Sequence, residues 1–132
     1  MAAGGGTAPG ASDIEKIAAE AYRTIPAVLR ARADEVRIRV EEFPSAEVMR
    51  EMALESPFDL LGLYEGVPIS DRSVSDVRQD IDMIFLYRRP LLDYWVENNE
   101  RLEDVVRHVL IHEIGHHFGF SDEDMEHIEE AG

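Results

Sequence analysis

The sequence has no cysteine, so no disulfide framework is possible and any metal site has to be built from histidine and carboxylate. It has little positive charge. The formal net charge is −15, which argues against nucleic acid, because phosphate binding needs clustered Lys and Arg. The same acidity argues against an anionic membrane surface. It could favour basic peptides, although an acidic surface also serves as a simple solubility device. No apolar run approaches the length of a membrane span, and no internal repeat is present. The opening Met1-Ala-Ala-Gly-Gly-Gly-Thr-Ala-Pro-Gly-Ala11 shows neither a charged n-region nor an apolar h-region, so a cytoplasmic protein is the expectation.

What is present fits one globular domain. The chain has 132 residues and 45% hydrophobic residues, enough for one core and not for two. Residues 1–11 are rich in Gly and Ala and read as a disordered tail, leaving 12–132 as the folded domain. Ser12-Asp-Ile-Glu15 reads as a capping box, opening a helix whose apolar face is Ile14, Ile17, Ala18, Ala21, Tyr22 and Ile25. Pro26 kinks that helix or starts a new turn, carrying Val28 and Leu29 and ending near Ala33.

Val36-Arg-Ile-Arg-Val40 alternates with period 2, the mark of a half-buried strand. Ser45 caps a short helix to Leu54, with Val48, Met49 and Met52 turned inward. Leu60 to Val67 is a second strand candidate. Its Gly62 and Gly66 suit either a close backbone approach, as on an edge strand that receives an extended peptide, or a loose hairpin end. Pro68 to Asp80 reads as loop, and Ile81 to Tyr87 as a central apolar strand. Leu91 to Val96 is ambiguous, compatible with a turn of helix that packs Trp95 on the core.

The most informative stretch follows. A helix is expected from about Glu100, capped by Asn98 or Asn99, to Phe118. Leu102, Val105, Val106, Val109 and Leu110 form its apolar stripe, and Ile111, Ile114 and Phe118 line its other side, so both flanks should be buried. His112-Glu113-x-x-His116 continues the stripe. Residues four apart share a helix face, so two neutral imidazoles can meet one metal ion, with Glu113 beside them to take a proton from its water. Burying three polar groups there without a partner would cost several kcal/mol. Gly119 can end the helix in a left-handed conformation, after which Asp122 arrives where a third, oxygen ligand is required. Three protein ligands leave a zinc ion one open position, the catalytic arrangement.

His108 lies about 40° off the ligand stripe, taking about 100° per residue, which suits the surface or a supporting role. His117 points away from His112 and His116 by about 100–140° of helix arc, so a structural site with a fourth protein ligand fits poorly. Ser121 to Glu130 reads as a short final helix with Met125 and Ile128 inward and His127 at the surface. The order of elements gives an α+β domain: a small three-stranded sheet laid over a central metal-binding helix, flanked by an N-terminal and a short C-terminal helix.

These residues resemble the zincin metallopeptidases, and more narrowly the short bacterial family of zincin-like metallopeptidases that consist of little beyond the catalytic core. The likeness rests on Leu61-Gly-Leu-Tyr-Glu-Gly66, Ile84-Phe-Leu-Tyr-Arg-Arg-Pro90 and His112-Glu-Ile-Gly-His-His-Phe-Gly-Phe-Ser-Asp-Glu-Asp124. The resemblance implies a minimal zincin-like fold with a mixed sheet. It also implies a zinc ion held by His112, His116 and Asp122, with Glu113 as general base. The strand near Gly62, Leu63 and Tyr64 would be the one that pairs with a peptide or protein substrate. Metzincins instead place His where Asp122 stands and add a Met turn that Met125 sits too close to supply. Gluzincins take a Glu from a later helix, a place Glu126, Glu129 or Glu130 could imitate.

The expected chemistry is peptide hydrolysis by a zinc-activated water. The rival from another class is a zinc-binding regulatory or interaction module with little or no turnover, which would have no need of Glu113. Tyr64, Tyr87, Tyr94 and His117 are candidate oxyanion donors. Arg88 and Arg89 are expected to pair with carboxylates. The sequence leaves oligomeric state open, a monomer included.

Overall fold

The computed structural model describes residues 8–30, 36–66 and 82–119, without the side chains of Val28, Leu29, His117 and Phe118. The expected loop at 68–80, the final helix, and most of the N-terminal tail lie outside the described residues, as does Asp122. Among the described residues there are five helices: α1 (Ala11–Tyr22), α2 (Ala27–Arg30), α3 (Ala46–Glu51), α4 (Arg88–Asn98) and α5 (Leu102–Phe118). The strands are β1 (Val36–Glu41), β2 (Gly62–Glu65) and β3 (Asp82–Tyr87), and a 3-10 turn covers Pro57–Asp59. This is an α+β fold with a mixed three-stranded sheet in the order β1-β3-β2. β1 runs parallel to β3, with Ile38 opposite Ile84, and β2 runs antiparallel to it, with Gly62 opposite Leu86.

The alternation of β3 sets which face is core. Ile84 and Leu86 are fully buried against α5, while Met83 and Phe85 face the other side of the sheet and are half-buried. α5 packs on α1, β2 and β3 and is buried on both flanks: Leu102, Val105, Val106, Val109 and Leu110 on one side, Ile111 and Ile114 on the other. Glu103, Asp104 and His108 form its solvent-facing side, so the helix is buried on its flanks and not all round. Ile14, Ala18, Ala21 and Ile25 close the core from the α1 side. Across that interface Arg107 Nε donates to Thr24 Oγ1 at 2.8 Å and its Nη2 to the Thr24 carbonyl at 2.9 Å.

Several local expectations shift. α1 begins at Ala11, not after Ser12, because Asp13 reaches back to accept from the Gly10 N–H at 2.7 Å. Pro26 starts a new turn, its carbonyl accepting from Arg30 N. Ser45 caps α3 by accepting from Val48 N at 3.1 Å. That helix ends at Glu51, which leaves Met52 as its C-cap and 46% exposed instead of inward. Asn99 does not cap α5. It closes α4 in the left-handed region, φ 52°, a conformation Asn tolerates better than most residues. α5 starts two residues later than expected, with Arg101 as N-cap.

Candidate metal centre

α5 carries the cluster. One ligand atom each of His112, Glu113 and His116 lies within 4.8 Å of the others. The His112 and His116 ring centroids are 4.6 Å apart with planes at 69°, the expected outcome of an i,i+4 pair on one face. Glu113 Oε1 sits 3.2 Å from His116 Nδ1, and the Glu113 side chain is 9% exposed against 38% for His116. A neutral His116 that donates from Nδ1 to this carboxylate keeps the Nε2 lone pair for a metal, the usual way a carboxylate fixes a ligand imidazole. His108 is one turn earlier, its ring 6.5 Å from that of His112, and it is exposed.

Two imidazoles and a carboxylate suit a divalent ion of borderline softness. Ligand atoms on a tetrahedral zinc lie roughly 3.3 Å apart, given bonds of about 2.0–2.1 Å. The His112 and His116 ligand atoms lie within 4.8 Å of each other, near enough to share one ion, and their chemistry fits zinc. The cluster lies in the last turns of α5, where the unpaired carbonyl ends favour positive charge. Gly119 terminates the helix as its sequence position suggested, at φ 87° and ψ 16°, with its N–H donating to the His116 carbonyl at 2.9 Å. The chain beyond it, with Asp122, Glu126, Glu129 and Glu130, lies outside the described residues, and the side chain of His117 does too.

On the sheet side, β2 is an edge strand among the described residues, and Gly62 is where it touches the centre. A Cβ on Gly62 would lie 2.6 Å from Val109 Cγ1 and 3.6 Å from Glu113 Cγ. The close neighbour is the Val109 side chain of α5, a contact distinct from the added peptide strand that the sequence suggested. Two residues on, the Tyr64 hydroxyl donates to Asp82 Oδ2 at 3.2 Å, and Asp82 is only 3% exposed. Gly66 leaves room for this pair, since a Cβ there would collide with Asp82 Oδ1 and come within 2.7 Å of the Tyr64 hydroxyl.

A family model described as zincin-like metallopeptidase matches residues 33–131, three quarters of the chain. The chain belongs to the zincin-like metallopeptidase family. No curated protein matches it. Family membership supports a metallopeptidase-type, zinc-binding protein, and the His–Glu–His group could hold the metal. None of the described helices is long and apolar enough to cross a membrane.

Tyr64 is engaged with Asp82, and the other two tyrosines expected as donors lie on β3 and α4. Tyr87 is buried, and burial, then the charges of Glu65, Glu41 and Glu113, push its hydroxyl up to about 12. It stays a protonated donor across any working pH. Tyr94 is raised chiefly by the charge of Glu100, to which its hydroxyl donates at 3.3 Å on the exposed side of α4. Arg88 is committed elsewhere: Nη1 pairs with Glu42 Oε1 at 2.8 Å and Nε donates to the Pro9 carbonyl at 2.7 Å. The Arg89 guanidinium lies over the Phe43 ring at 5.5 Å. Val109 and Asp82 were not singled out from sequence. Strand alternation would have found Asp82, since it shares the inward parity of Ile84 and Leu86.

Proposed function

We propose that this protein is a zinc-dependent peptidase, with His112, His116 and Asp122 holding the ion and Glu113 acting as general base. The observation that carries the reading is a buried Glu113 between two half-buried imidazoles, directly beneath an edge strand. Zinc, when bound, supplies Lewis acidity, lowering the pKa of a water toward about 7 and polarising a carbonyl oxygen.

The rest of the chemistry belongs to the chain. Glu113 takes the proton of the attacking water and hands it to the leaving amine. Its near-complete burial keeps bulk water from competing and strengthens its interaction with developing charge. β2 binds the substrate. The Leu61 carbonyl accepts from Tyr87 N at 2.9 Å, so the antiparallel alternation makes Leu61 and Leu63 the residues bonded to β3. The N–H and C=O groups of Gly62 and Tyr64 then point away from β3, toward an added strand. An extended peptide pairing there gains main-chain hydrogen bonds, and the Leu63 side chain meets it on the opposite face of the sheet. The net charge of −15 favours basic peptides on approach.

Two measurements test this. Zinc content should be near stoichiometric in the wild type and lost in His116→Ala. Cleavage of a fluorogenic peptide library should be detectable in the wild type and abolished in Glu113→Gln. Zinc bound without Glu113-dependent cleavage would replace the peptidase by a zinc-binding interaction module.

A further inference from the structure

Gly62 lies on the strand proposed to bind substrate, and it also has close neighbours on its inner side. The three atoms nearest its missing Cβ are Val109 Cγ1 at 2.6 Å, the Phe85 carbonyl oxygen at 3.1 Å and Glu113 Cγ at 3.6 Å. They differ in what can yield. The Phe85 carbonyl belongs to the backbone of β3, the central strand, which pairs on both sides. Val109 is β-branched in a helix, where one χ1 rotamer dominates, and it is buried, so it cannot swing aside cheaply. The Glu113 contact is ordinary van der Waals distance. Val109 and Glu113 are one helical turn apart, so together they bracket the Gly62 Cα.

We propose that Gly62 is a positioning residue for Glu113: its lack of a side chain sets the separation between the β2 edge and the Glu113 carboxylate. The claim rests on the reading of Glu113 as the base. Any side chain at 62 has to be accommodated by moving β2 away from α5 or by turning α5 about its axis. Either motion shifts the carboxylate relative to a peptide laid along β2. Alanine at 62 retains the N–H and C=O that would pair with substrate, so its effect separates positioning from backbone recognition. The second strand glycine, Gly66, makes its close approach to Asp82 and Tyr64 and not to α5, so the two glycines serve different contacts.

The experiment compares wild type, Gly62→Ala, Val109→Ala and the double variant Gly62→Ala/Val109→Ala, each zinc-loaded, on the best-cleaved member of a fluorogenic peptide library. Removing Val109 Cγ1 removes the closest clash, so the pair should compensate. Gly62→Ala is expected to keep its zinc, to leave KM little changed and to lower kcat by up to about 10²-fold, the scale of a misplacement near 1 Å. Val109→Ala alone should turn over near the wild-type rate, and the double variant should regain most of the lost kcat. A folded Gly62→Ala with wild-type kcat overturns the proposal, and so does a folded double variant that stays as slow as Gly62→Ala. Should Gly62→Ala fail to fold, the double variant alone decides: wild-type kcat supports the proposal and a slow folded enzyme refutes it.

If the wild type cleaves no peptide, the peptidase reading fails by itself. The positioning claim is then read from the side-chain carboxyl ¹³C resonance of Glu113 in the zinc-loaded protein, assigned by its loss in Glu113→Gln. It should move in Gly62→Ala and return in the double variant. No movement in Gly62→Ala overturns the claim.

Discussion

Replacing Gly119 tests whether the bend after α5 is held by backbone conformation. Gly119 is the C-cap at φ 87°. A left-handed conformation costs a residue with a Cβ roughly 1–2 kcal/mol. Alanine also stiffens the unfolded chain, which offsets about 0.4–1 kcal/mol of that. Gly119→Ala should therefore destabilise the protein by about 1 kcal/mol, a fall in Tm of about 3–5 °C for a domain of this size. Asparagine is larger than alanine but tolerates the left-handed region, so Gly119→Asn should cost less. Urea unfolding of the metal-free proteins gives this order directly. Repeating it with excess zinc adds RT ln(1 + [zinc]/Kd) to each stability, and with Asp122 as the third ligand, as proposed, Gly119→Ala should gain less than wild type. If Gly119→Asn proves as damaging as Gly119→Ala, steric volume and not φ limits the position, and the argument is wrong.

Tyr87→Phe should change stability only at alkaline pH. Its folded-state hydroxyl is raised to about 12 from an unfolded value near 10, so the folded protein holds the proton longer. Below about pH 10 both states are protonated and the variant should match the wild type. As pH rises toward about 12 the unfolded wild type ionises first and loses roughly 2–3 kcal/mol that the variant keeps, so the urea midpoints should separate across that window with the variant the more stable. Leu110→Ala, at a fully buried position of α5, should cost about 2–5 kcal/mol in the same assay. Ser45→Ala removes the α3 cap and should cost about 1 kcal/mol while leaving zinc affinity unchanged.

The centre was legible because its signals are local. An apolar stripe at helical spacing, a His-Glu-x-x-His pattern on its extension and a glycine at the end all lie within α5, and the helix displays them as spaced. Long-range facts were legible only in part. Gly62 announced that something approached it, but which atoms did depended on the docking of β2 on α5 across more than forty residues. α4 resisted assignment because Arg88-Arg-Pro-Leu-Leu-Asp-Tyr-Trp-Val96 has no clean apolar stripe and carries proline at its third position. Pro90 falls in the first helical turn, where an N–H is unpaired anyway, so it does not break the helix. Asn99 reads from sequence as a cap of α5, but its left-handed backbone closes α4 instead. The inward carboxylate of Asp82 was hidden by the apolar run around it, although the strand parity was available.

The contact of α1 with α5 has a consequence for biosynthesis. Arg107 is tied to Thr24 across 83 residues, and β1 finds its parallel neighbour only after β3 has emerged. Ordering such distant segments is entropically slow, and the helix bearing both histidines leaves the ribosome after nearly everything it packs against. The two histidines of α5 are therefore set in place only after α1 and the strands against which that helix packs have been made, so the order of synthesis supplies the walls of the core before the helix that fills it.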